Sequence, residues 1–102
     1  MISESPGLSG ASVRFVNHTW PQPSVIATIE GIGNNKDEVV IIGAHLDSVN
    51  WDAQNQDISR APGACDDGSG TVTVMEVFRV IAESGVTFNR TIEFHHYAAE
   101  EV

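Results

Sequence analysis

The sequence predicts an α/β fold, a mixed β-sheet with parallel central strands and a covering helix, and three stretches carry that expectation. Glu38–Ala44 (EVVIIGA) is a β-branched run without alternation, the pattern of a strand buried on both faces. From Gly68 to Ser84 the period becomes helical, with Val74, Val77, Phe78 and Ile81 at i, i+3, i+4 and i+7 forming one apolar stripe. Thr91–Tyr97 (TIEFHHY) reads as a strand again. Strand, helix and strand in that order make a βαβ unit, whose two strands lie parallel because the crossover returns the chain to the end from which it left.

The elements around this unit follow in order. Residues 1–11 are a loose lead-in of Ser, Gly and Pro, and Val13–Val16 alternates as a short strand would. Pro21 and Pro23 interrupt it. Ser24–Glu30 (SVIATIE) alternates again, and Gly31–Asp37 (GIGNNKD) is turn chemistry, so a hairpin with the next strand is expected there. Residues 48–64 show no periodicity, and a loop of that length inside a small domain is more often functional than decorative. In the helix, Val72, Met75 and Val80 widen the apolar stripe, which predicts burial on more than one side, and Ser84-Gly85 supplies its stop.

At 102 residues the chain accommodates one modest domain, and 41% apolar with 19% charged residues is a globular rather than a disordered composition. A net charge of −9 with only five Lys and Arg excludes a nucleic-acid partner of the phosphate-binding kind. No apolar run reaches the roughly 18–20 residues of a membrane span, and Met1–Gly10 has the character of neither a signal peptide nor an anchor. Cys65 is the single cysteine, so no disulfide forms within the chain. The sequons Asn17-His18-Thr19 and Asn89-Arg90-Thr91 point toward secretion.

Ligands of open α/β sheets bind at the carboxyl ends of the parallel strands. Three clusters fall at or near such ends: His45-Leu46-Asp47 after the first buried strand, Asp66-Asp67 before the helix, and Glu100-Glu101 after the last strand. A His-x-Asp pair lets His45 offer one ring nitrogen to a metal while Asp47 holds the other N–H; the bland reading is a hydrogen-bonded strand-end histidine. Asp66 and Asp67 suit a carboxylate that bridges two cations, although Asp67 also fits a helix-capping role. Of Glu100 and Glu101, one carboxylate can bind metal while its neighbour takes a proton from water. Convergence of all three is what separates this reading from surface carboxylates.

Three motifs, Gly43-Ala44-His45-Leu46-Asp47-Ser48, Ala61 through Gly70 (APGACDDGSG) and Tyr97-Ala98-Ala99-Glu100-Glu101, resemble the secreted zinc aminopeptidases of peptidase family M28. Within that family the likeness is to fungal and bacterial leucine aminopeptidases, with the stretch Asn17 to Ala27 (NHTWPQPSVIA) similar to the fungal branch, and it extends from about Ser12 onward. It implies a partial zinc-aminopeptidase (phosphorylase/hydrolase-like) fold, with residues 1–102 as one incomplete peptidase domain. It also implies two zinc ions, His45 on one, Glu101 on the other and Asp66 between them. Asp47 would orient His45, Glu100 would be the general base, and the Asp66–Asp67 peptide would be cis. The substrates implied are peptides with a free N-terminus, cleaved outside the cell.

The chain departs from the family pattern in ending before the downstream Asp and His that complete the two zinc shells. Each zinc would keep two protein ligands where catalytic zinc normally has three. His18, His95 and His96 are poor substitutes, with sheet or core hydrogen bonding the expected role of the last two. Cys65 stands where acidic residues are common, and a buried inert thiol is expected; for Trp51, packing is expected over substrate contact. Two alternatives stay open: a single-zinc acyltransferase like the glutaminyl cyclases, and a non-catalytic fragment. Missing elements would also leave apolar surface exposed.

Overall fold

The computed structural model describes residues 10–52, 54 and 60–102. Most of the lead-in and the middle of the 48–64 loop lie outside the described residues. Four strands, β1 (Ala11–Val16), β2 (Ser24–Ile29), β3 (Val39–His45) and β4 (Thr91–Tyr97), form one sheet in the order β1-β2-β4-β3. A wide helical turn, Ala64–Ser69, leads into helix α1 (Gly70–Ser84). β3 and β4 are parallel neighbours joined through α1, as the βαβ pattern requires, while β1–β2 and β2–β4 are antiparallel.

The expected hairpin across Gly31–Asp37 does not form; β4 takes the place between β2 and β3. The connector instead braces the start of β4. Ile32 N–H donates to the Phe88 carbonyl (2.8 Å), Gly31 N–H to the Thr91 hydroxyl (3.0 Å), and that hydroxyl donates to the Lys36 carbonyl (2.7 Å). Turn residues therefore reverse the chain without pairing the strands they join, and the hairpin is β1–β2, closed through the prolines.

The core lies between α1 and one face of the sheet. Val74 and Phe78 of the apolar stripe are buried against Ala27, Ala44, Ile92 and Phe94, with Val77 and Ile81 partly buried beside them. Phe94 has no solvent exposure and meets the Phe78 ring edge-on at 5.0 Å and 85°. Gly85, at φ 72°, ends the helix in the left-handed conformation a side chain would resist.

Two burial expectations are corrected. Val39, Val40 and Ile41 are about half exposed, because β3 is an edge strand of the described sheet and α1 covers only part of one face. Val72, Met75 and Val80 are likewise exposed, since α1 has only its sheet-facing side covered. Of these residues, Val72 and Met75 line an apolar groove beside α1 together with Val13 and Val25. The expectation of exposed apolar surface is met by the same residues.

On the opposite face, Glu93, His95 and Tyr97 are joined: His95 lies 2.9 Å from a Glu93 carboxylate oxygen and 3.0 Å from the Tyr97 hydroxyl. This is the sheet hydrogen bonding expected of His95, and His96 similarly lies 3.2 Å from the Thr71 carbonyl. The Tyr97 ring lies over Gly43, where a Cβ would fall 2.7 Å from Cε2. Gly43→Ala is expected to push the ring off its His95 contact and to cost about 1–3 kcal/mol, read as a lower urea midpoint.

Candidate metal centre

Parallel pairing of β3 and β4 brings their carboxyl ends side by side, with His45 opposite Tyr97. Leu46 N–H extends the ladder by donating to the Tyr97 carbonyl at 2.7 Å. The segments leaving the two strands, His45–Asp47 and Ala98–Glu101, are thereby neighbours. The turn Ala64–Ser69 enters from the side, and the peptide between Asp66 and Asp67 is cis. Residues separated by up to 56 positions thus share one place: a ligand atom from each of His45, Asp66 and Glu101 lies within 4.8 Å of the others.

His45 is held from all sides. Its N–H donates to Asp67 (3.2 Å), its carbonyl accepts from the Thr71 hydroxyl (2.9 Å), and ring Nδ1 lies 3.0 Å from the Asp47 carbonyl. A carbonyl oxygen only accepts, so Nδ1 carries a proton and Nε2 is the atom turned to the cluster. Nε2 lies 3.0 Å from Asp66 Oδ1 and 3.8 Å from Glu100 Oε2.

Asp47 is arranged differently from the simple His-x-Asp expectation. Its carboxylate is 3.5 Å from His45 Nδ1, and the closer partner of that nitrogen is the Asp47 backbone carbonyl. The two carboxylate oxygens accept instead from the N–H groups of Glu100 (3.0 Å) and Glu101 (2.9 Å). One residue thus orients the imidazole with its main chain and clamps the glutamate pair with its side chain. Asp67 caps the start of α1 by accepting from Gly70 N–H (3.1 Å) and also fixes His45.

The electrostatics describe a site crowded with negative charge. Burial raises the Glu101 pKa, and the Asp66 and Glu100 carboxylates push it further up against the pull of His45. Burial of His45 acts to lower its pKa, but the Asp47 carbonyl, Asp66 and the charges of Glu100 and Asp67 outweigh it and the net shift is upward. Asp47 is held below its ordinary value: burial opposes ionisation, and the N–H groups of Glu101 and Glu100 more than offset it. Repelling carboxylates beside an oriented imidazole form a donor set that a cation could complete, and the nitrogen-plus-oxygen chemistry fits zinc.

Other candidates lie apart. Cys65 is exposed, not buried as expected, because the turn carries it outward beside Asp66. Trp51 is 71% exposed, which removes the packing role expected of it. His18 is outside the metal group, with its Nε2 2.8 Å from the Ser24 hydroxyl. Sequence reasoning missed Ser24 and Thr71, which carry no recognisable chemistry and act through backbone groups distant in the chain.

Fold and site together define an α/β protein with a histidine–carboxylate cluster, of a composition that could hold a metal ion, at the mouth of a parallel strand pair. The chain belongs to peptidase family M28, whose model matches residues 24–102. It is 49% identical to leucine aminopeptidase 1 of Ajellomyces dermatitidis, covering 98% of this chain and 26% of that protein. With leucine aminopeptidase 1 of Fusarium vanettenii the identity is 54%, over 82% of this chain and 21% of that protein. Among solved structures, LapB from Legionella pneumophila matches with a TM-score of 0.71 and 32% identity, over 98% of this chain and 25% of that one. The chain thus spans about a quarter of the length of the relatives it matches.

Proposed function

We propose that this chain is the metal-binding and proton-transferring part of a secreted zinc aminopeptidase, which removes residues from the free N-terminus of peptides. The observation that carries the reading is the convergence of His45, Asp66 and Glu101 ligand atoms within 4.8 Å, with Glu100 beside them. Family membership and the names of the fungal relatives support the substrate class, and the sequons at Asn17 and Asn89 support the extracellular setting. No helix among the described residues is long and apolar enough to cross a membrane.

In this reading His45, Asp66 and Glu101 would hold the zinc ions, His45 on one, Glu101 on the other and Asp66 shared by both. Zinc bound there supplies Lewis-acid polarisation of the scissile carbonyl and acidifies water. Glu100 takes the proton of the attacking water and returns it to the departing amine. Its side chain is 59% exposed, open to both. Asp47 keeps Nδ1 of His45 protonated, so that Nε2 is the ligating atom, and holds both glutamates by their N–H groups.

Zinc stoichiometry of the purified chain at neutral pH tests the proposal. Two ions per chain are expected; one would favour the single-zinc acyltransferase architecture, and none would make this a non-catalytic segment. Release of leucine from a chromogenic leucine amide tests turnover directly. Asp66→Ala removes a ligand whose side chain is 77% exposed, so folding should be spared. Its zinc affinity is expected to fall by more than the roughly 10–100-fold that losing an outer partner costs, as read by competition with a chromophoric chelator.

A further inference from the structure

The turn that delivers Glu100 and Glu101 is held at both ends by side chains from distant segments, and Asp47 is one of them. β2 and β4 pair as far as Val25 and His96. Beyond that register the Ser24 hydroxyl replaces the ladder, accepting from Ala98 N–H at 3.0 Å. Ser24 and Ala98 are both buried, so water does not satisfy that amide in its place. The next residue, Ala99, has φ 59°, and there the chain turns out of the strand toward Glu100. The Ser24 hydroxyl is itself fixed by His18 Nε2 at 2.8 Å, with the His18–Ser24 proton on either partner according to the imidazole tautomer. The His18 ring stacks on Trp20 at 4.6 Å and 21°.

We propose that Ser24, secured by His18, is a positioning residue for the glutamate pair: it anchors the Ala98–Glu101 turn so that Glu100 and Glu101 face His45 and Asp66. The stretch between β1 and β2 thereby serves the metal centre without touching it. The placement is a property of the chain itself; only its value for metal binding rests on the function proposed above.

The test uses the 102-residue chain and its variants Ser24→Ala, Ser24→Thr and His18→Ala. Amide hydrogen exchange is followed by NMR without metal, then affinity for zinc alone is titrated. In Ser24→Ala the Ala98 amide should exchange about tenfold faster or more, the worth of one buried hydrogen bond, with Glu100 and Glu101 following. Ile92 and Phe94 amides should keep their rates, which separates loss of the anchor from loss of the fold. Zinc affinity should fall by about tenfold, and Ser24→Thr, which keeps the hydroxyl, should restore both readings. His18→Ala should move them in the same direction by less, and it carries the test if Ser24→Ala fails to fold. An Ala98 amide still protected in Ser24→Ala, or glutamate amides and zinc affinity unchanged once Ala98 is released, would overturn the proposal. If the parent chain binds no zinc, the metal reading fails separately, and the anchor is judged on whether the Glu100 and Glu101 amides accelerate with Ala98.

Discussion

Glu100→Gln is expected to leave zinc affinity within a few fold of the parent and to slow hydrolysis of a leucine amide by about 10²–10⁴-fold, the contribution of a positioned general base. Glutamine has the same length and the same carbonyl geometry, but it cannot take a proton at neutral pH. The backbone N–H of Glu100, which Asp47 holds, is unaffected by the change. The side chain lies 3.8 Å from His45 Nε2 without belonging to the His45–Asp66–Glu101 ligand group, so the ligand set survives. The loss should therefore fall on kcat, with KM little altered. Comparison requires protein that turns over the amide, and under saturating zinc the two readings are independent. Equal loss of zinc would mean that Glu100 is a ligand; undiminished turnover would remove it from the proton path.

How much of this was legible in the sequence depended on whether the information was local. The βαβ unit was, because period and β-branched content are properties of short windows: β3, α1 and β4 lie close to where the pattern puts them. The three clusters were legible for a related reason. Once β3 and β4 are parallel neighbours, topology alone carries His45 and the Glu100–Glu101 pair to the same end of the sheet. The insertion of β4 between β2 and β3 was not legible, since the Gly31–Asp37 turn looks the same whether it joins paired strands or passes over a third. Exposure of Val39–Ile41 was hidden similarly: a β-branched run records that a strand suits a buried place, not which neighbours occupy it. Ser24 was invisible because a hydroxyl that caps a distant N–H has no sequence period. The division of Asp47 between a carbonyl for His45 and a carboxylate for two glutamates needed coordinates, because side chain and main chain of one residue share a single letter.

The largest effect on the fold is expected at Phe94, and it reaches the site. Phe94→Ala should cost about 3–5 kcal/mol, the usual loss for a buried aromatic truncated to alanine. Small native domains hold only about 5–15 kcal/mol in total, and this sheet has one covering helix among the described residues, so the cooperative urea transition should move to much lower denaturant or vanish. The exposed Phe15 is the control, since Phe15→Ala should change stability by only about 0.5 kcal/mol. The consequence for metal follows from which element supplies each proposed ligand. His45 and Glu101 leave adjacent strands and are tied by the strand ladder and by Asp47, whereas Asp66 arrives on the turn that opens α1. What docks α1 on the sheet is chiefly the contact of Phe78 and Val74 with Phe94 and its neighbours. Losing that contact should separate Asp66 from His45 even where the strands stay paired. Zinc affinity should then drop in Phe94→Ala at urea concentrations where the strands retain their amide protection, although no ligand has been altered. Retained affinity under those conditions would show that the contacts of Asp67 and Thr71 with His45 suffice to hold the turn without the helix packing behind it.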